Sequence, residues 1–453
     1  MGKNLFGTDG VRGIPGEYPL DDVTLARVGA ALGKEVSATA GSRARVLIGR
    51  DTRESGPHIA QQIASGLAVG GAEPVSAGVL PTPGVAWLVR REGFAAGVVI
   101  SASHNPYHDN GVKLISSSGM KFPDSVEDDL ERVILAAEGG AAVTPGKLRE
   151  GKEELYHDYL DGLRAAVLPG ANFSGMKVLL DCANGAASEL APELFRSLGA
   201  TVVCVNNEPD GRNINAGCGS LHPEVMQECV VNQGAALGVA FDGDADRAIF
   251  STASGRLVNG DGVLLAAGRY LQSAGKLRSD AIVGTTMSNL GLERTLEKSG
   301  LRLIRTAVGD RYVLEEMLRI GANLGGEQSG HILFLDDATT GDGMLTAVKI
   351  ASLVSICGSL DTLTRDLKEF PQKIVNVRVR SKPPLDSLPA VSQALSEAEK
   401  ALGNSGRVVL RYSGTEPLAR VMVEAERDED VQSWAARIAA DLQSEIGVER
   451  KVS

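Results

Sequence analysis

The 453-residue chain has few aromatic residues, with 9 Phe, 7 Tyr and 2 Trp. A surface that stacks the bases of a single strand needs more rings than that, so this class is disfavoured. No run approaches the roughly 18 apolar residues of a membrane span. The N-terminus, Met1-Gly2-Lys3-Asn4-Leu5-Phe6, shows no apolar h-region of a signal peptide. Phe6 stands where the myristoylation pattern needs Ser or Thr. The five cysteines (Cys182, Cys204, Cys218, Cys229, Cys357) are odd in number and form no CxxC. They read as reduced thiols of a cytoplasmic protein rather than as disulfides or a zinc site. GxxxxGK[ST] is absent, as is GxGxxG after a βαβ start, so P-loop and dinucleotide readings lose support. Positive charge is also short: 46 Lys and Arg face 57 Asp and Glu, a net charge of −11. That argues against nucleic acid or an anionic membrane as partner, but leaves room for a small anion held by local cations.

Glycine is abundant, 54 residues against a usual share of ~7%. With no Gly-X-Y period, these glycines belong in tight turns and close backbone approaches. The 43% hydrophobic and 23% charged content is globular, and the length suggests about three domains. Short apolar runs alternate with helical stretches. Val46–Gly49, Val98–Ile100, Val178–Asp181, Val202–Val205 and Leu237–Phe241 read as strands, and Ile59–Ala68 as a helix. This alternation predicts α/β layers with mainly parallel sheets. Residues 138–152 read as an exposed connector. Ser174–Lys177 leads into a second unit, and a third starts near Asn259–Gly262. Beyond Phe370-Pro371 the pattern changes to strand Ile374–Val379, helix Leu388–Leu402, strands Arg407–Tyr412 and Arg420–Glu424, and helix Val431–Ile446, a small α+β domain.

Five motifs could carry chemistry. Ser101-Ala102-Ser103-His104-Asn105-Pro106 follows the strand Val98–Ile100, and ligands of α/β sheets bind off the carboxyl ends of strands. A serine there could be a nucleophile or phosphate carrier, although alone it is an ordinary polar turn. His104 and His108 are four apart, but Pro106 argues against a metal-binding helix. The strand resuming at Val112–Ile115 could return Lys113 beside Ser103. In Phe241-Asp242-Gly243-Asp244-Ala245-Asp246-Arg247, three carboxylates alternate with small residues after a buried strand. Such close like charges repel unless neutralised, and oxygen ligands suit Mg²⁺ or Ca²⁺. An EF-hand fails, because Arg247 and Ala253 occupy the positions that need Gly and Glu.

Gly325-Gly326-Glu327-Gln328-Ser329-Gly330-His331 groups side chains that suit the hydroxyls of a sugar, although alone it is a glycine-rich turn. Arg411-Tyr412-Ser413-Gly414-Thr415-Glu416-Pro417, followed by Arg420, could wrap a phosphate with hydroxyls, backbone N–H groups and two arginines. Gly7-Thr8-Asp9-Gly10-Val11-Arg12-Gly13 is a turn that could add the cation of Arg12.

Together and in this order, the motifs closely resemble the α-D-phosphohexomutase family over essentially the whole chain. Within it they look like the branch that acts on glucosamine phosphate. The support is Gly7–Gly13, Gln328 within Gly326–His331, and Val308-Gly309-Asp310-Arg311-Tyr312-Val313. Ala245 departs from the glycine more usual in that branch. The resemblance implies three related mixed α/β domains and a smaller C-terminal α+β domain around a central cleft, four rather than three. Their bounds are 1–153 with a phosphoserine loop, 154–257 with a metal loop, 258–370 with a sugar loop and 371–453 with a phosphate loop. It implies interconversion of glucosamine 6-phosphate and glucosamine 1-phosphate, supplying UDP-N-acetylglucosamine. Phosphorylated Ser103 gives its phosphoryl group to the sugar, and a hexosamine or hexose 1,6-bisphosphate is both intermediate and activator.

Carried onto this sequence, the family's metal is Mg²⁺ on Asp242, Asp244, Asp246 and a phosphate oxygen of Ser103. Arg247 reaches the same phosphate, His104 helps hold the serine loop, and Lys113 or Arg12 moves a proton or polarises the reacting hydroxyl. Lys113 is the better acid/base of the two, because a guanidinium stays protonated. Glu327, Ser329 and His331 meet the sugar; Arg411, Ser413, Gly414, Thr415 and Arg420 hold the phosphate that is not reacting. The implied partner is a small sugar phosphate, with no nucleic acid and no membrane; a homodimer is allowed. Rival readings are a phosphoglucomutase/phosphomannomutase, a metal-dependent phosphatase with an aspartate nucleophile, and a non-catalytic sugar-phosphate sensor.

Overall fold

A strand buried on both faces can be apolar along its whole length, and these strands are. Ala96–Ile100 and Leu237–Phe241 have no exposed residue. The computed structural model describes residues 5–7, 9–40, 44–137, 148–413 and 417–448. Gly414 and Thr415 of the expected phosphate loop, Thr8, and residues 138–147 of the expected connector lie outside them. The chain divides into two compact units, residues 1–285 with 306–365, and residues 286–305 with 366–453.

The first unit holds a six-stranded mixed sheet in the order Val11–Gly13, Asn110–Ser116, Ala96–Ile100, Arg45–Arg50, Glu73–Val79, Arg149–Glu150. Arg45–Arg50 runs parallel to both Glu73–Val79 and Ala96–Ile100. Asn110–Ser116 returns antiparallel beside Ala96–Ile100, with Lys113 opposite Val99. A five-stranded sheet repeats the plan. Lys177–Asp181 is parallel to Thr201–Val205 and Leu237–Phe241, and Ala248–Thr252 returns antiparallel beside Leu237–Phe241. In the third, Ala281–Thr285 is parallel to Leu324–Gly326, and Ile332–Phe334 returns antiparallel.

The three expected loops occupy one topological position. In each sheet the loop joins a buried parallel strand to its antiparallel return: residues 101–109 carry Ser103, 242–247 the aspartates, and 327–331 Glu327 and His331. A parallel neighbour needs a long crossover, whereas an antiparallel return needs only a short loop. The chemistry therefore collects at the carboxyl ends of parallel strands.

In the second unit, Leu418–Ala425 pairs antiparallel with both Gln372–Arg378 and Gly406–Tyr412. The helices Pro389–Leu402 and Asp428–Ile446 supply apolar residues to its core with the sheet, among them Val391, Ala398, Val421, Val423, Ile438 and Leu442. No helix among the described residues is long and apolar enough to cross a membrane.

Candidate active site

Ser103 lies at the tip of its loop with φ of 51° and is almost wholly buried. Its Oγ donates to Asp242 Oδ2 at 2.6 Å and lies 3.3 Å from His104 Nδ1. Serine loop and metal loop touch because nothing stands between them. A Cβ at Gly243 would come within 2.5 Å of the Ser103 carbonyl oxygen, so only glycine fits there.

Asp242, Asp244 and Asp246 are buried and bring one carboxylate oxygen each within 4.8 Å of the others. Asp242 Oδ1 accepts from the Arg247 N–H at 3.1 Å. Asp244 Oδ2 accepts from Thr82 Oγ1 at 2.6 Å and from Lys113 Nζ at 3.0 Å. Asp244 Oδ1 is buried without a hydrogen-bond partner, and Asp246 Oδ1 has His331 Nδ1 at 3.6 Å and Arg247 Nε at 3.7 Å, beyond hydrogen-bond length. Orphaned anionic oxygens in a buried site are costly until a donor or cation meets them, and an all-oxygen set suits Mg²⁺. The residues present therefore fit a divalent cation. Their mutual charge acts on their pKa values. Burial, then Asp246 and Asp244, pushes Asp242 well above the usual carboxylate range. Burial acts the same way on Asp246, but His331, Lys113 and Arg247 overcome it and lower its pKa.

Lys113 does not touch Ser103 in these contacts; it stands behind the metal loop. Its Nζ lies 3.0 Å from Asp244, 3.5 Å from Asp9 and 3.9 Å from Asp246. Burial favours the neutral amine, but those three carboxylates outweigh it and raise the pKa. The side chain is held as an ammonium, which suits polarisation better than proton abstraction. Arg12 reaches the serine loop itself, donating to the Ala102 carbonyl at 3.3 Å and pairing with Asp9. The pKa of His104 is lowered to about 4 by burial and by Arg247 and Arg12, so its ring is neutral near pH 7. His331 goes the other way. Burial opposes its charge, but Asp246, with Nδ1 to Oδ1 at 3.6 Å, raises its pKa to about 9.

The sugar loop is backed from below. Glu327 Oε1 accepts from the Gly309 N–H at 3.1 Å, and Ser329 is exposed. Gln328 turns away and donates to Asp261 at 3.3 Å. In the second unit, Arg411 and Arg420 face each other directly across the strand pair. Like charges opposed in this way repel, and an anion between them would relieve that. The nearby Ser413 is buried, and its carbonyl accepts from Lys382 at 2.6 Å.

Sequence reasoning missed several groups. Asp51, Arg53 and Asn215 hold the serine loop, and Thr82 holds Asp244. Lys121 bridges Asp9 at 3.0 Å and Asp310 at 2.9 Å. A signal was available for two of them. Asp51 and Arg53 follow the buried strand Arg45–Arg50 just as Ser103 follows Ala96–Ile100, so the strand-end rule would have flagged both. Asn215 and Lys121 are brought in only by folding.

Comparison with known proteins places this site in a family. The α/β/α domain I, II and III models of phosphoglucomutase/phosphomannomutase match residues 3–139, 157–255 and 259–373, and the C-terminal domain model matches 374–441. The chain belongs to the phosphoglucomutase/phosphomannomutase family, the α-D-phosphohexomutases expected from the motifs. Among its relatives, the phosphoglucosamine mutase of Solibacter usitatus is 53% identical, over 99% of this chain and 100% of that protein. Two solved structures share the fold. A phosphoglucomutase/phosphomannomutase family protein from Burkholderia thailandensis has a TM-score of 0.78 at 22% identity, covering 99% of this chain and 100% of that one. The N-acetylphosphoglucosamine mutase of Aspergillus fumigatus, in complex with GlcNAc-6P and magnesium, has 0.65 at 18%, covering 97% and 95%.

Proposed function

We propose that the chain is a phosphoglucosamine mutase that interconverts glucosamine 6-phosphate and glucosamine 1-phosphate. The observation that carries the reading is Ser103 Oγ held 2.6 Å from one of three converging buried aspartates. With it goes the full-length relationship to a protein of that name. Phosphoryl transfer asks mainly for positioning and neutralisation of charge. Bound Mg²⁺ would supply charge neutralisation on the transferring phosphoryl group.

The chain's residues do the rest. Asp242, Asp244 and Asp246 hold the cation, and Arg247 and Arg12 face the phosphate on Ser103. The free sugar hydroxyl takes the phosphoryl group from Ser103 and gives up its proton, and Ser103 Oγ regains one. The resulting 1,6-bisphosphate turns over, and Ser103 takes the other phosphate. Glu327 and Ser329 bind hydroxyls common to both orientations, and in the second unit Arg411, Ser413 and Arg420 are suited to a phosphate. Lys113 stabilises charge through Asp244 and Asp246. A cytoplasmic place in UDP-N-acetylglucosamine supply suits this chemistry.

A phosphatase using Asp242 as nucleophile is less apt, because the carboxylate already engages Ser103 Oγ and the Arg247 N–H. The test is formation of glucosamine 1-phosphate by purified protein with Mg²⁺ and a trace of glucose 1,6-bisphosphate. Ser103→Ala should lose essentially all turnover; a Ser103→Ala protein that still releases inorganic phosphate from the sugar phosphate returns the phosphatase reading.

A further inference from the structure

The serine loop is gripped by a side chain that the reaction scheme leaves unused. Arg53 is wholly buried, and a guanidinium has five N–H donors in a planar fork. All five are committed. Nε donates to Asp51 Oδ2 at 2.9 Å. The two terminal nitrogens donate to four carbonyls of one loop: Ser103 at 3.0 Å, Asn105 at 2.8 Å, Asp109 at 3.0 Å, and Pro106. Asn215 Nδ2 donates to two of the same carbonyls, Ser103 at 2.9 Å and Asn105 at 3.0 Å. The other edge of the loop is tied to the same aspartate. Ser101 Oγ donates to Asp51 Oδ2 at 2.6 Å and accepts from the Ser103 N–H at 2.9 Å.

This clamp explains how Ser103 keeps its φ of 51°. A left-handed conformation is unfavourable for a residue with a Cβ and persists only where the surroundings over-determine it. The conformation sets where Oγ points. Two half-reactions with opposite sugar orientations use one placement of Ser103, first as phosphoserine and then as the accepting hydroxyl, and a misplacement of about 1 Å can cost roughly 100-fold in rate. We propose that Arg53 is the positioning residue of the phosphoserine loop, with Asn215 as its second support. It acts on transfer through Ser103 and has no part in sugar binding. Lysine cannot replace it, having three donors on a point charge in place of a planar fork.

This inference rests on the proposed mutase reaction, so the test reads both. Full-length wild type, Arg53→Lys and Asn215→Ala are checked for folding by circular dichroism. Each is phosphorylated with glucose 1,6-bisphosphate and mixed with glucosamine 6-phosphate for single-turnover transfer and steady-state KM. Arg53→Lys should slow transfer roughly 100-fold and leave KM within about threefold. Asn215→Ala should slow transfer roughly 10-fold with the same KM pattern, and it carries the test if Arg53→Lys does not fold. A folded variant of either kind that transfers at the wild-type rate, or that raises KM with transfer intact, overturns the positioning role. Wild type that neither becomes phosphorylated nor converts substrate would sink the reaction itself, and this role with it.

Discussion

Replacing Asp242 with Asn should make the metal-free protein more stable while destroying its activity. The three carboxylates lie within 4.8 Å of one another. At an effective dielectric of ~20, one like pair at that separation costs about 3.5 kcal/mol. Asp242 takes part in two such pairs, and its pKa is pushed well above the usual range by burial and by Asp246 and Asp244. Its charge is therefore a net burden on the folded state. Arg247 offsets part of it, so the gain for the neutral amide is what remains of the roughly 7 kcal/mol of the two pairs. Asn can keep both hydrogen bonds: its oxygen accepts from the Arg247 N–H, and its amide donates to Ser103 Oγ, reversing the polarity seen with Asp242. The assay is thermal unfolding in EDTA and in Mg²⁺ at constant ionic strength, because salt alone screens the repulsion. Wild type should gain about 2.7 kcal/mol at Mg²⁺ a hundredfold above its Kd. Asp242→Asn should melt higher than wild type in EDTA and gain much less from Mg²⁺. A variant that melts lower in EDTA, or that keeps the full Mg²⁺ shift, would refute the argument that these carboxylates are held together for a cation.

Three further outcomes follow from the geometry. Ala245 has φ of 54° in the metal loop, so Ala245→Gly should raise stability by about 1 kcal/mol, read by denaturation. Lys121→Met should cost about 1–2 kcal/mol, discounted for its partial exposure, by taking the ammonium from Asp310, while Asp9 keeps Arg12 and Lys113; adding Asp310→Asn should recover part of the loss in a double-mutant cycle. Burial raises the pKa of Asp342 to about 6, so the unfolded chain releases this proton at lower pH than the folded one. The associated stability is complete below about pH 4 and is lost as pH rises through about 6, a loss of roughly 3 kcal/mol. Asp342→Asn, which can still accept from the Leu345 N–H as helix cap, should remove that slope from unfolding midpoints measured between pH 4 and 6.5.

Fold and site were legible to different depths. Leu237–Phe241 was read with its true ends, and Val98–Ile100 lacked only its first two residues, Ala96 and Gly97. Both are continuous apolar runs closed by polar loops, the pattern of a strand buried on both faces. Helix 431–446 begins earlier, at Asp428, because its first turn is acidic and carries no apolar period to read. The serine, metal and sugar loops were legible because each packs its polar residues into a short stretch after a strand. The groups that hold them were not. Arg53 and Ser103 are 50 residues apart, and Asn215 and Ser103 are 112, and no local pattern marks such a pairing. Gln328 shows the converse limit. It stands in the sugar motif, yet its amide is spent on Asp261.

Substrate preference tests the central claim most directly. Purified protein with Mg²⁺ and a trace of hexose 1,6-bisphosphate would be given glucosamine, glucose, mannose and N-acetylglucosamine phosphates, and kcat/KM compared. A clear preference for glucosamine phosphate is expected. A preference for glucose or mannose phosphate would contradict it, leaving the serine and the metal loop in place but taking away the amino-sugar assignment.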